Sequence, residues 1–226
     1  AGRGLLQDPH NLMEGYGVAL YERPQTVLLN YSYELPFGRG RQFMNSTDNW
    51  GGKILNGFVG GWSVAGVSTY SPKGTPVLLP GVDGGNTAPG AAIRWSLADG
   101  TNAQRSTDYS KALIGGDGNF AQGSSAQGVL NPAAFTRTPD YTLSNSPFVF
   151  PNIRNPGFFT TDATLLKKFH FSEVDSRYLE ARIEALNIFN HANFNDIDND
   201  PDSSTFGGVK GKTGQRLMQI GLRLFF

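Results

Sequence analysis

Asp196, Asp198 and Asp200, within the run NDIDNDPDS from Asn195 to Ser203, put carboxylates at every second position. Oxygen ligands at that spacing can wrap a hard cation such as calcium. A calcium loop of this kind also needs a glycine at its sixth position and an acid at its twelfth. Counted from Asp196, those positions hold Pro201 and Gly207. A weak calcium site and a solvated turn both fit the run.

A second carboxylate pair, Glu180 and Glu184, lies in YLEARIEALNIF, Tyr178 to Phe189. On a strand the two would stand about 13 Å apart, beyond the roughly 9.5 Å upper limit of a glycosidase pair. On a helix they would share one face. Helix or strand is therefore a question about function as well as fold. Other chemistry is thin. His10, His170 and His191 are widely spaced, and no nucleophile elbow, phosphate-binding loop, His-Glu-x-x-His or dinucleotide fingerprint occurs. The expectation is a protein without catalytic residues and without a firm cofactor. A secreted hydrolase with a dispersed site is the least favoured alternative.

Aromatics at Trp95, Tyr109, Phe120, Phe135, Tyr141, Phe148 and Phe150 are interleaved with Asn, Asp and Gln. They suit stacking on sugars or other flat ligands. They equally suit pinning a long loop to itself, the reading favoured here.

The elements that position these residues are strands. The chain carries 29 Gly, 13 Pro and 16 Phe with only 17% charged residues, a balance of strands and turns rather than helix bundles. Zero net charge removes a global field for nucleic acid. With no cysteine, disulfides and thiolate metal sites are excluded. The terminal strand RLMQIGLRLFF places Met218, Ile220, Leu222, Leu224 and Phe226 on one face, opposite Gln219, Gly221, Arg223 and Phe225. This is a lipid-out, polar-in pattern of the length that crosses a bilayer, about 9–11 residues.

Gln25 to Leu35 repeats the pattern with Val27, Leu29, Tyr31, Tyr33 and Leu35. Trp62 to Tyr70 alternates more weakly. Phe159 to Phe169 sets Phe159, Ala163, Leu165 and Phe169 against Thr160, Asp162, Thr164 and Lys168, and leaves Lys167 on the apolar face, where it must snorkel to an interface. Taken alone, Tyr178 to Phe189 favours a helix. The six-residue link Ser172 to Arg177 instead makes it the antiparallel neighbour of the preceding strand. As a strand it sends Glu180, Arg182 and Glu184 to a watery lumen with Gln219 and Arg223. Strands are thus expected near 25–35, 60–71, 158–171, 178–189 and 216–226, the last three forming a meander.

The connections are then ordered by length. Outer-membrane barrels have short periplasmic turns and long extracellular loops. Ser71 to Gly157 and Asn190 to Gln215 are expected to be extracellular, the former a surface excursion with little core of its own, and Ser172 to Arg177 periplasmic. Pro36 to Gly61, 26 residues, is long for a periplasmic turn. Its basic residues Arg39, Arg41 and Lys53 read as an interfacial belt rather than a nucleic-acid patch.

Six blocks, in order, resemble the C-terminal barrel of TonB-dependent outer-membrane receptors, the Oar-like subgroup in particular. They are Tyr31 to Phe43 (YSYELPFGRGRQF), Gly60 to Pro76, Asn131 to Phe135 (NPAAF), Arg154 to Phe169, Glu180 to Phe194 and the terminal strand. The resemblance covers nearly the whole chain. It implies an all-β fold of antiparallel amphipathic strands: residues 1–226 as one segment of a larger outer-membrane barrel, with loops 71–157 and 190–215 outside. It also implies uptake of a bulky nutrient, carbohydrate being one candidate. Implied partners are outer-membrane lipid, an N-terminal barrel portion with its plug, and the energy-coupling TonB protein through that missing portion. Nucleic acid is not among them. Met218, Ile220, Leu222, Leu224 and Phe226 resemble a barrel-closure signal. No plug or TonB box is present in these residues, and five spans fall short of roughly 22 strands. The alternative is a free-standing soluble β-sandwich or β-barrel binding module, which would bury the apolar face of the terminal strand.

Overall fold

A computed structural model describes residues 7–8, 10–38, 41–44, 50–79, 94–121, 128–170 and 177–226. Arg39, the Gly-rich run from position 80 to 90, and positions 172–176 of the short link lie outside the described residues, as does the side chain of Lys53. In chain order the strands are β1 (Val27–Glu34), β2 (Trp62–Leu78), β3 (Ser96–Leu97), β4 (Phe135–Thr136), β5 (Val149–His170), β6 (Tyr178–Leu186), β7 (Asn193–Phe194), β8 (Lys212–Thr213) and β9 (Leu217–Phe225). An α-helix, α1 (Trp50–Val59), lies between β1 and β2 in the chain.

The chain divides into two units. The sheet unit comprises Thr26–Tyr70, Phe159–Ala192 and Gly214–Phe226. In it the five long strands lie side by side in the order β1-β2-β5-β6-β9, each beside its predecessor among them. The pairs β1/β2, β5/β6 and β6/β9 are antiparallel. Tyr178 to Leu186 is thus a strand despite its helix-forming composition. Flanked by β5 and β9, it satisfies its backbone groups on both edges, and that outweighs propensities worth a few tenths of a kcal/mol per residue. It stops at Asn187, which takes a left-handed φ of 48° that asparagine tolerates. The Asn187 side chain bridges the His191 and Gly214 carbonyls.

Helix α1 was not expected. Gly51, Gly52 and Gly57 make WGGKILNGFV a poor helix former. It closes where Gly60 N–H donates to the Asn56 carbonyl (2.8 Å) and Gly61, at φ 73°, turns the chain into β2. Across β1/β2, Tyr31 faces Gly66, the hydrogen-only position that leaves room for its ring.

The loop unit comprises Ala1–Gln25, Ser71–Phe158 and Asn193–Thr213. The expectation that Ser71 to Gly157 carries little core of its own is corrected here. Leu130, Ala134 and Val209 are fully buried, with Val129, Val77 and Ile197 at 2% exposure or less. Phe135 meets Phe150 and Phe206 edge-on at 5.9 and 5.4 Å. The core closes because the second long connection supplies what the first lacks: Val209 and Ile114 or Ala112 exchange backbone hydrogen bonds of 2.9 and 2.6 Å, and Val129 N–H donates to Gly207 (2.8 Å). Residues before β1 join it too. Gln7 is buried against Ser144, and Glu22 pairs with Arg154. The outer parts of β2 and β5 belong to this unit. Gly74 and Gly157 let these two backbones touch, since a Cβ at Gly157 would sit 2.2 Å from the Ser71 carbonyl oxygen.

Candidate functional site: the two faces of the sheet

The register of β5, β6 and β9 sorts side chains into rows. On one face stand Ala163/Ala185/Met218, Leu165/Ile183/Ile220, Lys167/Ala181/Leu222 and Phe169/Leu179/Leu224. On the other stand Thr164/Glu184/Gln219, Leu166/Arg182/Gly221, Lys168/Glu180/Arg223 and His170/Tyr178/Phe225. Glu180, Arg182, Glu184, Gln219 and Arg223 therefore share one face. Met218, Ile220, Leu222 and Leu224 share the opposite one.

The polar face is self-complementary. Glu180 faces Lys168 on one side and Arg223 on the other, opposite-charge pairings that favour the register. Arg182 Nε lies 3.1 Å from Glu184 Oε1, and Gln219 donates to the other Glu184 oxygen. At the end of the sheet His170, Tyr178 and Phe225 form an aromatic row, Tyr178 and Phe225 stacking at 4.5 Å, with Lys168 Nζ 5.0 Å over the Tyr178 ring. Glu180 and Glu184, four residues apart on a strand, stand about 13 Å apart and each has a cationic or amide neighbour.

The apolar face is bare. Ile220 is 78% exposed and Leu222 68%. Its one charge, Lys167, is nevertheless buried. Rather than reaching water, its Nζ donates to the Phe58 carbonyl (3.2 Å) and the Gly60 carbonyl, beside the Trp62 and Phe169 rings at 5.3 and 5.0 Å. These carbonyls stand at the C-terminal end of α1, where helix carbonyls lack intrahelical partners and a cation is favoured. The sequence named Lys167 as an anomaly but could not supply its partner.

In the loop unit the acidic run has its own partners. Asp198 Oδ2 accepts from Thr205 Oγ1 (2.8 Å), with Lys210 Nζ 4.0 Å from Oδ1. Asp200 Oδ1 accepts from Asp202 N–H at 3.1 Å. Asp196 borders a recess of about 120 Å³ with Asn155, Asn199, Lys210, Val77 and Ile197. That is room for a few water molecules, below the 300–1,000 Å³ of a typical organic-ligand pocket. Among the described residues no three His, Cys, Asp or Glu side chains are grouped to hold a metal.

The loop aromatics are largely spent on packing. Trp95, Phe135 and Phe150 are buried, Arg94 lies over Phe148, and Tyr109 Oη donates to the Arg154 carbonyl (2.7 Å), while Tyr141 is 74% exposed. Burial holds the Tyr109 phenol above its ordinary value. Asp108 is held below the usual carboxylate range by the Ser110 side chain and Lys111, and Asp117 by Asn119.

A family model described as outer membrane beta barrel domain matches residues 1–219. The chain belongs to that family. No curated protein and no solved structure gives a significant match. Membership of the outer membrane beta barrel family places the chain in the bacterial outer membrane as an antiparallel β-barrel protein. The bare apolar face is then the one a membrane-embedded barrel turns to lipid, where its hydrophobes meet a solvent that suits them. Spans of eight to twelve residues within the sheet unit suit a bilayer.

Proposed function

We propose that this chain is the C-terminal barrel portion of a TonB-dependent outer-membrane receptor of the Oar-like kind, non-enzymatic, importing a bulky nutrient, carbohydrate being one candidate. The carrying observation is the segregation of Glu180, Arg182, Glu184, Gln219 and Arg223 onto one face, opposite the bare apolar one. A row of charges and amides suits a water-filled lumen and is ruinous in an apolar core. The six ordered sequence blocks support the receptor reading over a passive pore. In this reading Ser71 to Gly157 and Asn190 to Gln215 face the exterior, and cargo is met there.

The test is uptake of a fluorescent oligosaccharide too large for porins, by cells with and without the gene. The expected result is gene-dependent entry that stops when the proton-motive force is collapsed. Entry that survives the collapse makes the protein a passive pore and sinks the receptor reading. A cysteine introduced at Tyr141 is expected to react with a membrane-impermeant maleimide on intact cells; failure to react inverts the assigned orientation.

A further inference from the structure

Helix α1 carries Trp50, Ile54 and Phe58 at i, i+4 and i+8, one stripe along its length. In water such a stripe is unfavourable, yet the three side chains are 81%, 43% and 71% exposed. The neighbouring Leu55 is 50% exposed and widens it. Asn56 marks the other side, its Oδ1 close to the backbone of Gly38 and Gly60. The helix thus turns its polar side to its own connection and its apolar side away from protein.

The stripe is tied to the lipid-facing surface of the sheet. Lys167, in the row with Ala181 and Leu222, donates from that face to the Phe58 and Gly60 carbonyls. Trp62 Nε1 donates to the same Phe58 carbonyl at 2.8 Å. Helix end, Trp62 ring, Phe169 ring and ammonium form one cluster at the border of the apolar face. Tryptophan with a satisfied N–H and a lysine with its stem along apolar surface are the residues that settle where hydrocarbon gives way to headgroups.

We propose that α1 is an interfacial helix lying in the plane of the phospholipid leaflet at the end of the barrel where β1 ends and β2 begins, its Trp50–Ile54–Phe58 stripe embedded at the acyl boundary and its C-terminus locked to the barrel wall by Lys167. A short amphipathic helix with large apolar side chains on one side fits that boundary. The proposal rests on the membrane-embedded barrel and is independent of the cargo; in the orientation proposed above, the leaflet is the inner one.

Because the chain has no cysteine, single sites can be spin-labelled without other changes. Trp50→Cys, Ile54→Cys, Phe58→Cys, Ile220→Cys and Tyr141→Cys are introduced singly into the intact barrel protein, which is folded into phosphatidylethanolamine/phosphatidylglycerol vesicles, and collisions with oxygen and with a water-soluble nickel chelate are compared. The labels at 50, 54 and 58 are expected to show nickel collision several-fold below that at 141, at a depth shallower than 220. In Lys167→Met, the label at 58 is expected to gain mobility while 220 stays lipid-exposed. If 50, 54 and 58 match 141 while 220 is in lipid, the interfacial helix is wrong and the barrel stands. If 220 is itself in water, the membrane reading fails and takes the proposal with it. Protection at 50, 54 and 58 in native outer membranes but not in pure phospholipid would assign the stripe to another occupant and overturn the proposal.

Discussion

The two units of this chain arrange the same residue types in opposite senses. In the loop unit Leu130 and Val209 are fully buried at the centre of a core; in the sheet unit Ile220 and Leu222 are 78% and 68% exposed on an outer face. One hydrophobic effect produces both. Apolar surface leaves water wherever it can, and the loop unit provides an interior whereas the sheet unit requires a bilayer. The polar groups obey the same inversion. Glu180, Arg182 and Glu184 share the sheet's polar face, opposite the apolar one, while the loop unit's Asp108, Asp117 and Lys111 are exposed.

The sharpest way to break this comparison is truncation in both units. Leu130→Ala removes a side chain sealed on every side and leaves a cavity, with an expected cost of about 2–5 kcal/mol. Ile220→Ala leaves no cavity, because fluid lipid fills the space, and is expected to cost only the transfer of the three lost carbons, about 2 kcal/mol, without the added cavity term of Leu130→Ala. Urea titrations in vesicles, read from the fluorescence of Trp95 for the loop unit and from sheet circular dichroism, measure the two. Equal costs would mean that Ile220 is packed by protein and that the apolar face is not a lipid face.

A charge separates the units differently. Leu222→Asp is expected to block membrane assembly, since a carboxylate on the lipid face near the midplane is destabilising, though less so than a lysine or arginine there, while the loop core stays intact. Deleting Phe226 should also impair assembly if the terminal strand is the closure signal. Heat-modified mobility on gels reads assembly; normal assembly of both variants would dismiss that signal.

How much of this was readable follows from the same physics. The strands were legible because period two needs only near neighbours, and the faces of β6 and β9 follow from alternation. The outer halves of β2 and β5 were not, since Pro72, Gly74, Pro156 and Gly157 interrupt the alternation where the backbones need close approach. Helix α1 hid behind three glycines. The loop core was invisible because Leu130 and Val209 have no local period; each is buried by residues distant in sequence. In the acidic run the residue types were plain, but Thr205 and Lys210, which take up Asp198, were not.

That pairing gives a smaller prediction. Asp198→Asn weakens a charged hydrogen bond at a site only 8% exposed and is expected to cost about 1–2 kcal/mol, with or without calcium. Millimolar calcium is expected to leave the melting temperature of the native chain unchanged. A rise that disappears in Asp198→Asn would make the run a cation site by mass action.

The smallest effect concerns Tyr109, whose hydroxyl donates to the Arg154 carbonyl at 2.7 Å within the loop unit. Burial raises its pKa above 10.0, so the folded state holds the proton more tightly than the unfolded chain does. For an acid shifted in this direction the contribution is complete below pH of about 10 and is lost as pH rises through the folded value. Deprotonation would remove the donor and leave an anion facing a carbonyl oxygen. Tyr109→Phe keeps the ring and discards the hydroxyl, with an expected loss of about 0.5–1.5 kcal/mol at neutral pH. Above pH 10 the gap between native chain and variant should close, because the native chain forfeits the same bond. Urea midpoints from pH 7 to 11, read at Trp95 in Trp50→Phe/Trp62→Phe chains, measure the difference; a gap that stays constant across that range would show that the Tyr109 hydroxyl contributes nothing through its proton.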